Sequence, residues 1–170
     1  RVRNQEADFA LSATEARSTS AADLRSTKLC SDRFHLVCRT DHPLAKVDKL
    51  TAKQLAPYPF IQMTRNSSVR QALDAALHPL RLNTIFEVEH LATVTGLIEA
   101  GVGISVVPTL TLFHFQRESL LTRPLSARGL SRTIHLVQRR EGSLSIAAQT
   151  LHDLIFERMG SLKVEDLLGK

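Results

Sequence analysis

Tryptophan is absent from this 170-residue chain, and tyrosine occurs once, as Tyr58. Surfaces that stack nucleic-acid bases interleave aromatics with concentrated cations. The cations here are not concentrated: residues 1–59 hold ten Lys/Arg against seven Asp/Glu, residues 60–134 seven against five, and residues 135–170 five against five. The net charge of +5 therefore reads as a mildly basic solvated surface, and direct nucleic-acid binding by this stretch is not expected. Seven glycines and six prolines are too few for a linker or a fibre. No apolar run approaches the roughly 20 residues of a membrane helix, so no membrane partner is expected. The two cysteines, Cys30 and Cys38, fit no C-x2-C metal spacing. Cys38 ends the strand-like run Phe34-His35-Leu36-Val37-Cys38, where a thiol packs as a small hydrophobe, and the expected compartment is the reducing cytoplasm. The first residues, Arg1-Val2-Arg3-Asn4-Gln5-Glu6, show neither a starting Met nor a charged-then-apolar secretion signal, so a piece of a longer protein beginning in mid-domain is expected.

What is present is ordinary globular material, 43% hydrophobic and 23% charged, enough for one sizeable core or two small lobes. Residues 7–13 read as a short buried strand, 14–25 as a polar loop, and 28–39 as one or two strands. Asp41-His42-Pro43 marks a turn, 51–55 a helical turn ended by Pro57, and Pro59–Met63 a strand. Val69, Ala72, Leu73, Ala76 and Leu77 make an apolar stripe of helical period, with Ser67 or Ser68 as N-cap and Pro79 as stop. A strand over 84–89 precedes a second helix over 91–100, with Leu91, Val94, Leu97 and Ile98 on one face and Gly101 past its end. Residues 103–107 read as a buried strand, and Pro108 opens a short helix to Phe115. Strands over 120–125 and 133–139 follow. Ser143 is expected to cap a last helix whose inner face holds Leu144, Ala147, Ala148, Leu151, Leu154 and Ile155, with a frayed tail from residue 160. Strands alternating with helices imply an α/β fold with largely parallel strands.

Several segments stand in a recognisable order: Asp8-Phe9-Ala10-Leu11, a strand followed by His42-Pro43-Leu44-Ala45, a Ser-capped helix with Arg near its start, Leu97-Ile98-Glu99-Ala100-Gly101-Val102-Gly103-Ile104-Ser105 followed by Pro108, and Ile134-His135-Leu136-Val137 before a Ser-initiated helix. In this order the chain resembles the effector-binding domain of LysR-type transcriptional regulators, from about Ala7 to Met159. The resemblance implies an α/β, two-lobed type II periplasmic-binding-protein-like fold with mixed, mostly parallel sheets. It divides the chain into lobe I (1–60 plus 135–160, without its first strands), lobe II (61–134) and a tail (161–170). It also implies a small-molecule effector held between the lobes, a hinge movement on binding, a homodimer or homotetramer, and DNA contact only through an absent N-terminal helix-turn-helix.

Two segments carry the candidate site. Thr64-Arg65-Asn66-Ser67-Ser68 leaves a strand and enters a helix N-terminus, where free N–H groups and the helix dipole attract an anion. Arg65 adds a guanidinium fork suited to a carboxylate, although capping alone would account for the serines. Glu89-His90-Leu91-Ala92-Thr93 is a junction of the same kind, in which His90 or Thr93 is the candidate contact; a helix cap and a solvated first turn are the structural alternatives. Together the candidates are Thr64, Arg65, Asn66, Ser67, Ser68, His90 and Thr93, with an anionic effector as ligand.

Other chemistry is not indicated. Gly101-Val102-Gly103 follows a helix rather than a strand, so it is no dinucleotide fingerprint; Gly101 reads as a C-cap glycine and Gly103 as a close-packing position. The seven histidines are scattered, with no pair at i, i+4, so no metal or other cofactor is expected. There is no G-x-S-x-G elbow and no paired nucleophile and base, so the chain does not read as an enzyme. Peroxide-sensing relatives use a cysteine pair in lobe II, whereas Cys30 and Cys38 are expected in lobe I. The rival reading is a transporter's solute-binding protein with the same lobed fold.

Overall fold

The computed structural model describes residues 1–13 and 23–161, with the side chains of 160 and 161 left aside. Among the described residues, eight strands and three α-helices follow in order: β1 (Phe9–Ser12), β2 (Leu24–Asp32), β3 (Phe34–Arg39), β4 (Pro59–Met63), α1 (Ser68–Leu77), β5 (Asn83–Val88), α2 (Leu91–Glu99), β6 (Ser105–Pro108), β7 (Leu120–Pro124), β8 (Arg132–Arg139) and α3 (Ile146–Ser161). Short 3-10 segments occupy Pro43–Lys46, Ala52–Leu55 and Thr109–Phe115. Contacts divide the described residues into two units. Unit 1 draws on residues 1–13, 23–31 and 132–161, and unit 2 holds residues 32–131.

Unit 2 is built around one long run of strands. β4 and β5 pair in parallel, a parallel bridge joins Phe60 to Ile104, and β6 and β7 flank β3, each antiparallel to it. The spatial order is thus β5-β4-β6-β3-β7. Four strands point one way, and only β3, which belongs to no β-α-β crossover, runs against them. Alternation then sends neighbouring residues to opposite faces. Phe34, Leu36, Phe60, Ile104 and Val106 pack with Leu73 and Leu77 of α1. Val37, Ile61 and Val107 pack with Val94 and Ile98 of α2 and with Leu112 and Phe115. The apolar stripes read from the sequence thus mark the faces by which α1 and α2 cover opposite sides of the sheet. β5 forms an edge, and its register against β4 jumps by one residue between Phe60 and Ile61. That irregularity leaves Ile85 and Phe86 half exposed.

The β4–β6 contact is tight. Ile61 N donates to Ile104 O at 2.8 Å, Ile104 N to Pro59 O at 2.9 Å, and Ser105 Oγ to Ile61 O at 2.8 Å. A Cβ on Gly103 would stand 2.5 Å from Pro59 O. Gly101, with φ +74°, closes α2 in the left-handed region that favours glycine.

Unit 1 holds the sheet β1-β8-β2, with Phe9 opposite Gln138 and Ser12 opposite His135 in antiparallel register. Its core includes Val2, Leu136, Val137 and Ala148.

Several expectations are corrected. Parallel pairing is confined to β4–β5 and the Phe60–Ile104 bridge among the pairings described, because only the segments around α1 and α2 form crossovers; the largely parallel character belongs to strand direction in unit 2. The two compact units divide between residues 31 and 32, and β3, the middle strand of the β6-β3-β7 sheet, groups residues 32–60 with unit 2. Cys38 therefore lies in unit 2, apart from Cys30 in unit 1. The strand expected over 7–13 is four residues long and only half buried, since it forms an edge of its sheet; Leu11 is exposed. Leu24 and Arg25, read as loop, belong to β2, and the rest of the expected loop, 14–22, lies outside the described residues. The last helix is capped by Ser145, not Ser143: Ala148 N donates to Ser145 Oγ at 3.2 Å. Its inward face is rotated too. Ala148, His152, Ile155 and Phe156 turn inward, with His152 edge-on to Phe9, while Leu151 and Leu154 are exposed. The helix carries apolar residues on both sides, so periodicity alone did not choose the buried one. It extends to Ser161, and the rest of the expected tail, 162–170, lies outside the described residues.

Gly103→Ala should destabilise the chain by about 1–3 kcal/mol, because the new methyl meets backbone rather than a movable side chain. Urea denaturation monitored by circular dichroism checks this; an unchanged midpoint would remove the close approach from the account of the fold.

Candidate functional site

The carboxyl ends of β4, β5 and β6 lie on one edge of unit 2. The helices that follow β4 and β5 start there and depart to opposite faces of the sheet. In open α/β sheets, such an edge is where ligands bind.

After β4 the chain turns at once. Thr64 N donates to Val88 O at 3.1 Å, tying this loop to the end of β5, and Ser67 N donates to Thr64 O at 2.9 Å. Ser67 is the N-cap: its backbone is extended and its Oγ accepts from Val69 N at 3.2 Å. Ser68 is the first helical residue. Arg65 and Asn66 are exposed at the tip, and Arg65 Nε lies 3.7 Å from Glu87 Oε1.

After β5, His90 is the N-cap of α2 by backbone conformation, and its side chain makes no capping bond. Its carbonyl accepts from Thr93 N at 3.1 Å and Val94 N at 3.3 Å. Thr93 faces outward on the first turn, while Thr95 is buried and donates back to Leu91 O. Neither helix end has a carboxylate in its own first turn, and Glu87 beside the start of α1 is engaged by Arg65 and Arg70; helix ends of this kind suit an incoming anion. The structure thus brings all seven candidate residues to one edge, on two loops joined by the Thr64–Val88 bond.

The sequence reading missed the network that holds these loops. Arg70, with its side chain only 13% exposed, donates from Nε to Asp74 Oδ2 at 2.6 Å and from Nη1 to Glu87 Oε1 at 3.1 Å. Gln62, buried on β4, donates to Asp74 Oδ1 at 3.0 Å and accepts from Thr84 Oγ1 at 2.6 Å. Arg70 is thereby neutralised by two carboxylates and serves to fasten α1 to β5. The i, i+4 spacing of Arg70 and Asp74 was a legible signal; the contribution of Glu87 from another strand was not. A cavity of about 390 Å3 beside this network includes Gln62, Arg70, Asp74 and Arg81 but none of the seven candidates.

A second missed cluster stands where β6 ends and β3 begins. Thr109 Oγ1 donates to Arg33 O at 3.1 Å and lies 3.2 Å from His35 Nδ1, and Leu110 N donates to the buried Asp32 Oδ1 at 3.1 Å. Burial holds the His35 imidazole below its ordinary value, with Asp32 opposing the shift, and burial does the same to His42. Burial also pushes the Cys38 thiol up to about 11, so it is a core thiol and not a reactive one. Among the described residues no group of three or more His, Cys, Asp or Glu side chains converges as a metal site, and no helix is long and apolar enough to cross a membrane.

A sheet of this topology, with paired loops at its carboxyl edge, defines a ligand-binding α/β module. Residues 1–160 match the family described as the LysR substrate binding domain. The chain is 34% identical over 152 residues to the uncharacterized HTH-type transcriptional regulator YbhD of Escherichia coli K12, covering 88% of this chain and 47% of that one. It is 34% identical over 118 residues to the transcriptional activator protein LysR of the same organism, covering 68% of this chain and 38% of that protein. It therefore spans about half the length, or less, of these curated relatives. In structure it is similar to the effector binding domain of QuiR in complex with shikimate (TM-score 0.76, 20% identity, 94% of this chain and 75% of that one). It is also similar to the regulatory domain of Synechocystis CcmR in complex with 2-PG (TM-score 0.79, 22% identity, 95% and 78%). The chain belongs to the LysR substrate-binding domain family, and its fold is that of the type II periplasmic-binding-like effector domains.

His35, which is buried, and His42, which is partly buried, set a pH dependence. A histidine whose folded pKa is depressed binds its proton more readily when unfolded, so stability is fully present above about 6.5, the ordinary imidazole value, and is lost as pH falls below it. The urea midpoint should fall between pH 7 and pH 5, and His35→Gln should flatten that fall. An equally steep fall in His35→Gln would assign the dependence elsewhere.

Proposed function

We propose that the chain is the effector-sensing part of a LysR-type transcription regulator and that a small anion binds at the carboxyl edge of unit 2. The observation that carries this reading is the pair of helix N-termini, α1 and α2, opening side by side without first-turn carboxylates. Thr64, Arg65, Asn66, Ser67 and Ser68 supply N–H groups, hydroxyls and a guanidinium from one loop; His90 and Thr93 supply polar groups from the other. Arg65 is exposed and held only by a long contact to Glu87, so it can turn to a carboxylate at small cost. Shikimate, the ligand named for the QuiR domain, is itself a carboxylate.

In the whole protein, binding would bias the equilibrium between conformations that differ in DNA contact. The contact itself belongs to a helix-turn-helix such as the HTH-type relatives are named for, acting in a homodimer or homotetramer in the cytoplasm. The relatives are transcriptional regulators, and we assign this chain no catalytic step. A transporter's solute-binding protein has a similar fold, but the regulator relatives do not favour that reading.

Thermal denaturation against small carboxylates, amino acids and aromatic acids tests the site. A ligand at about 100 times its Kd should raise Tm by about 5–10 °C. Ser67→Ala should lower stability by about 1 kcal/mol through the lost cap and should also reduce the ligand-induced increment. Thr93→Ala should reduce that increment while leaving the unliganded Tm nearly unchanged. A shift that survives both substitutions and Arg65→Gln would remove the site from this edge.

A further inference from the structure

One carboxylate oxygen of β5 serves two arginines of very different standing. Glu87 Oε1 lies 3.1 Å from Arg70 Nη1 and 3.7 Å from Arg65 Nε. The first distance is that of a hydrogen bond; the second is too long for one and leaves a Coulombic contact. The Arg70 side chain is 13% exposed, that of Glu87 39% and that of Arg65 82%. Arg70 is also bonded to Asp74 Oδ2 and to Met63 O, and Asp74 in turn accepts from the buried Gln62. Glu87 is thus a carboxylate fixed from behind by Arg70, and Arg65 is its movable partner.

The backbone around Arg65 is fixed as well. Thr64 N is bonded to Val88 O, the carbonyl next after Glu87, and Ser67 N to Thr64 O. A change of partner by the Arg65 guanidinium therefore needs a turn of its side chain and no movement of the loop. Charge stays balanced in such an exchange. Arg65 and Arg70 face Asp74 and Glu87, and a ligand carboxylate that takes Arg65 leaves Glu87 bonded to Arg70. No buried charge is orphaned, and the contact given up is the long, solvent-exposed one. A carboxylate that the chain itself holds against this guanidinium is chemically the group that an anionic ligand would present there.

We propose that Glu87 is a built-in competitor for Arg65 and sets the affinity of the unit 2 edge for every anion that recruits this arginine. The proposal rests on the reading of that edge as an anion site and adds the residue that opposes binding there. A ligand carboxylate takes the place of Glu87 beside Arg65, while Glu87 stays with Arg70. Anions that touch only the two helix ends escape the competition; those that draw on Arg65 must first win it. Removing the Glu87 charge therefore strengthens binding, the reverse of removing a group that holds the ligand.

The test is an NMR titration of the full 15N-labelled chain with acetate at constant ionic strength, read at the amides of 64–68 and 90–93 and at the arginine Nε–Hε signals. In wild type the Arg65 Nε–Hε signal should move with acetate while that of Arg70 stays. This readout needs no variant, and movement of Arg70 alone or of both overturns the proposal. Glu87→Gln removes the charge and keeps an amide oxygen for Arg70. It should bind acetate about two- to fivefold more tightly than wild type, the size of effect measured for exposed ion pairs. The same substitution made in an Arg65→Gln background should change nothing, because the two residues act as a pair. Glu89→Gln removes an equal charge from an exposed position two residues on and should give no comparable gain. A gain that persists without Arg65, or an equal one in Glu89→Gln, assigns the effect to general repulsion and overturns the competitor. Saturable shifts at 64–68 with no gain in Glu87→Gln overturn it too, while supporting the anion site itself. Absence of shifts at 64–68 and 90–93 in wild type and Glu87→Gln alike overturns both.

Discussion

The contact between β4 and β6 is the constraint on which unit 2 depends. It joins the parallel pair β4–β5 to the triplet β6-β3-β7, and it does so through only a few backbone bonds around Pro59, Ile61 and Ile104. Gly103 makes that approach possible, since any side chain there would run into Pro59 O. Once the strands are joined, alternation does the rest. Phe60 and Ile61 face opposite ways, so α1 and α2 must cover opposite sides of the sheet. Helices leaving to opposite sides open the edge between them, and the position of the candidate site thus follows from a close backbone approach at the far side of the same strands.

The loops at that edge are held from behind. Arg70 could have been an anion receptor by its residue type alone, yet Asp74 and Glu87 occupy it and its side chain is nearly buried. A guanidinium matched by two carboxylates has more to lose than to gain by turning to a ligand. Arg65, solvated and at 3.7 Å from the same Glu87, is in the opposite position. The two arginines stand five residues apart and divide the work: one fixes the start of α1 to β5, the other stays available.

Much of this was legible in the residues. The stripes Val69–Leu77 and Leu91–Ile98 identify the covered faces, the pair Ser67-Ser68 marks where α1 begins, with Ser67 the one that caps, and Gly101 marks where α2 ends, because each signal is local and its cause is steric or a single hydrogen bond. What was not legible depends on partners distant in sequence. β3 looks like any buried strand until it is paired, and its insertion between β6 and β7 is what moves residues 32–60 into unit 2. Asp32, His35 and Thr109 come together only through that insertion. In α3 both sides are apolar, and the choice fell to the side where His152 meets Phe9 and Phe156, a contact between segments more than a hundred residues apart for the first pair.

The same dependence on distant partners bears on how binding at the edge can be felt elsewhere. The Asp32–Leu110 and Thr109–Arg33 bonds fasten the end of β6 to the point where the chain enters unit 2. β6 is also bonded to β4, whose end carries the Thr64–Ser68 loop. The strands that carry the candidate loops therefore share one packed sheet with residues 32–35, and a packed interior transmits strain rather than absorbing it. The buried polar cluster at Asp32, His35 and Thr109 thus ties the start of β3 to the end of β6, at the point where the chain enters unit 2.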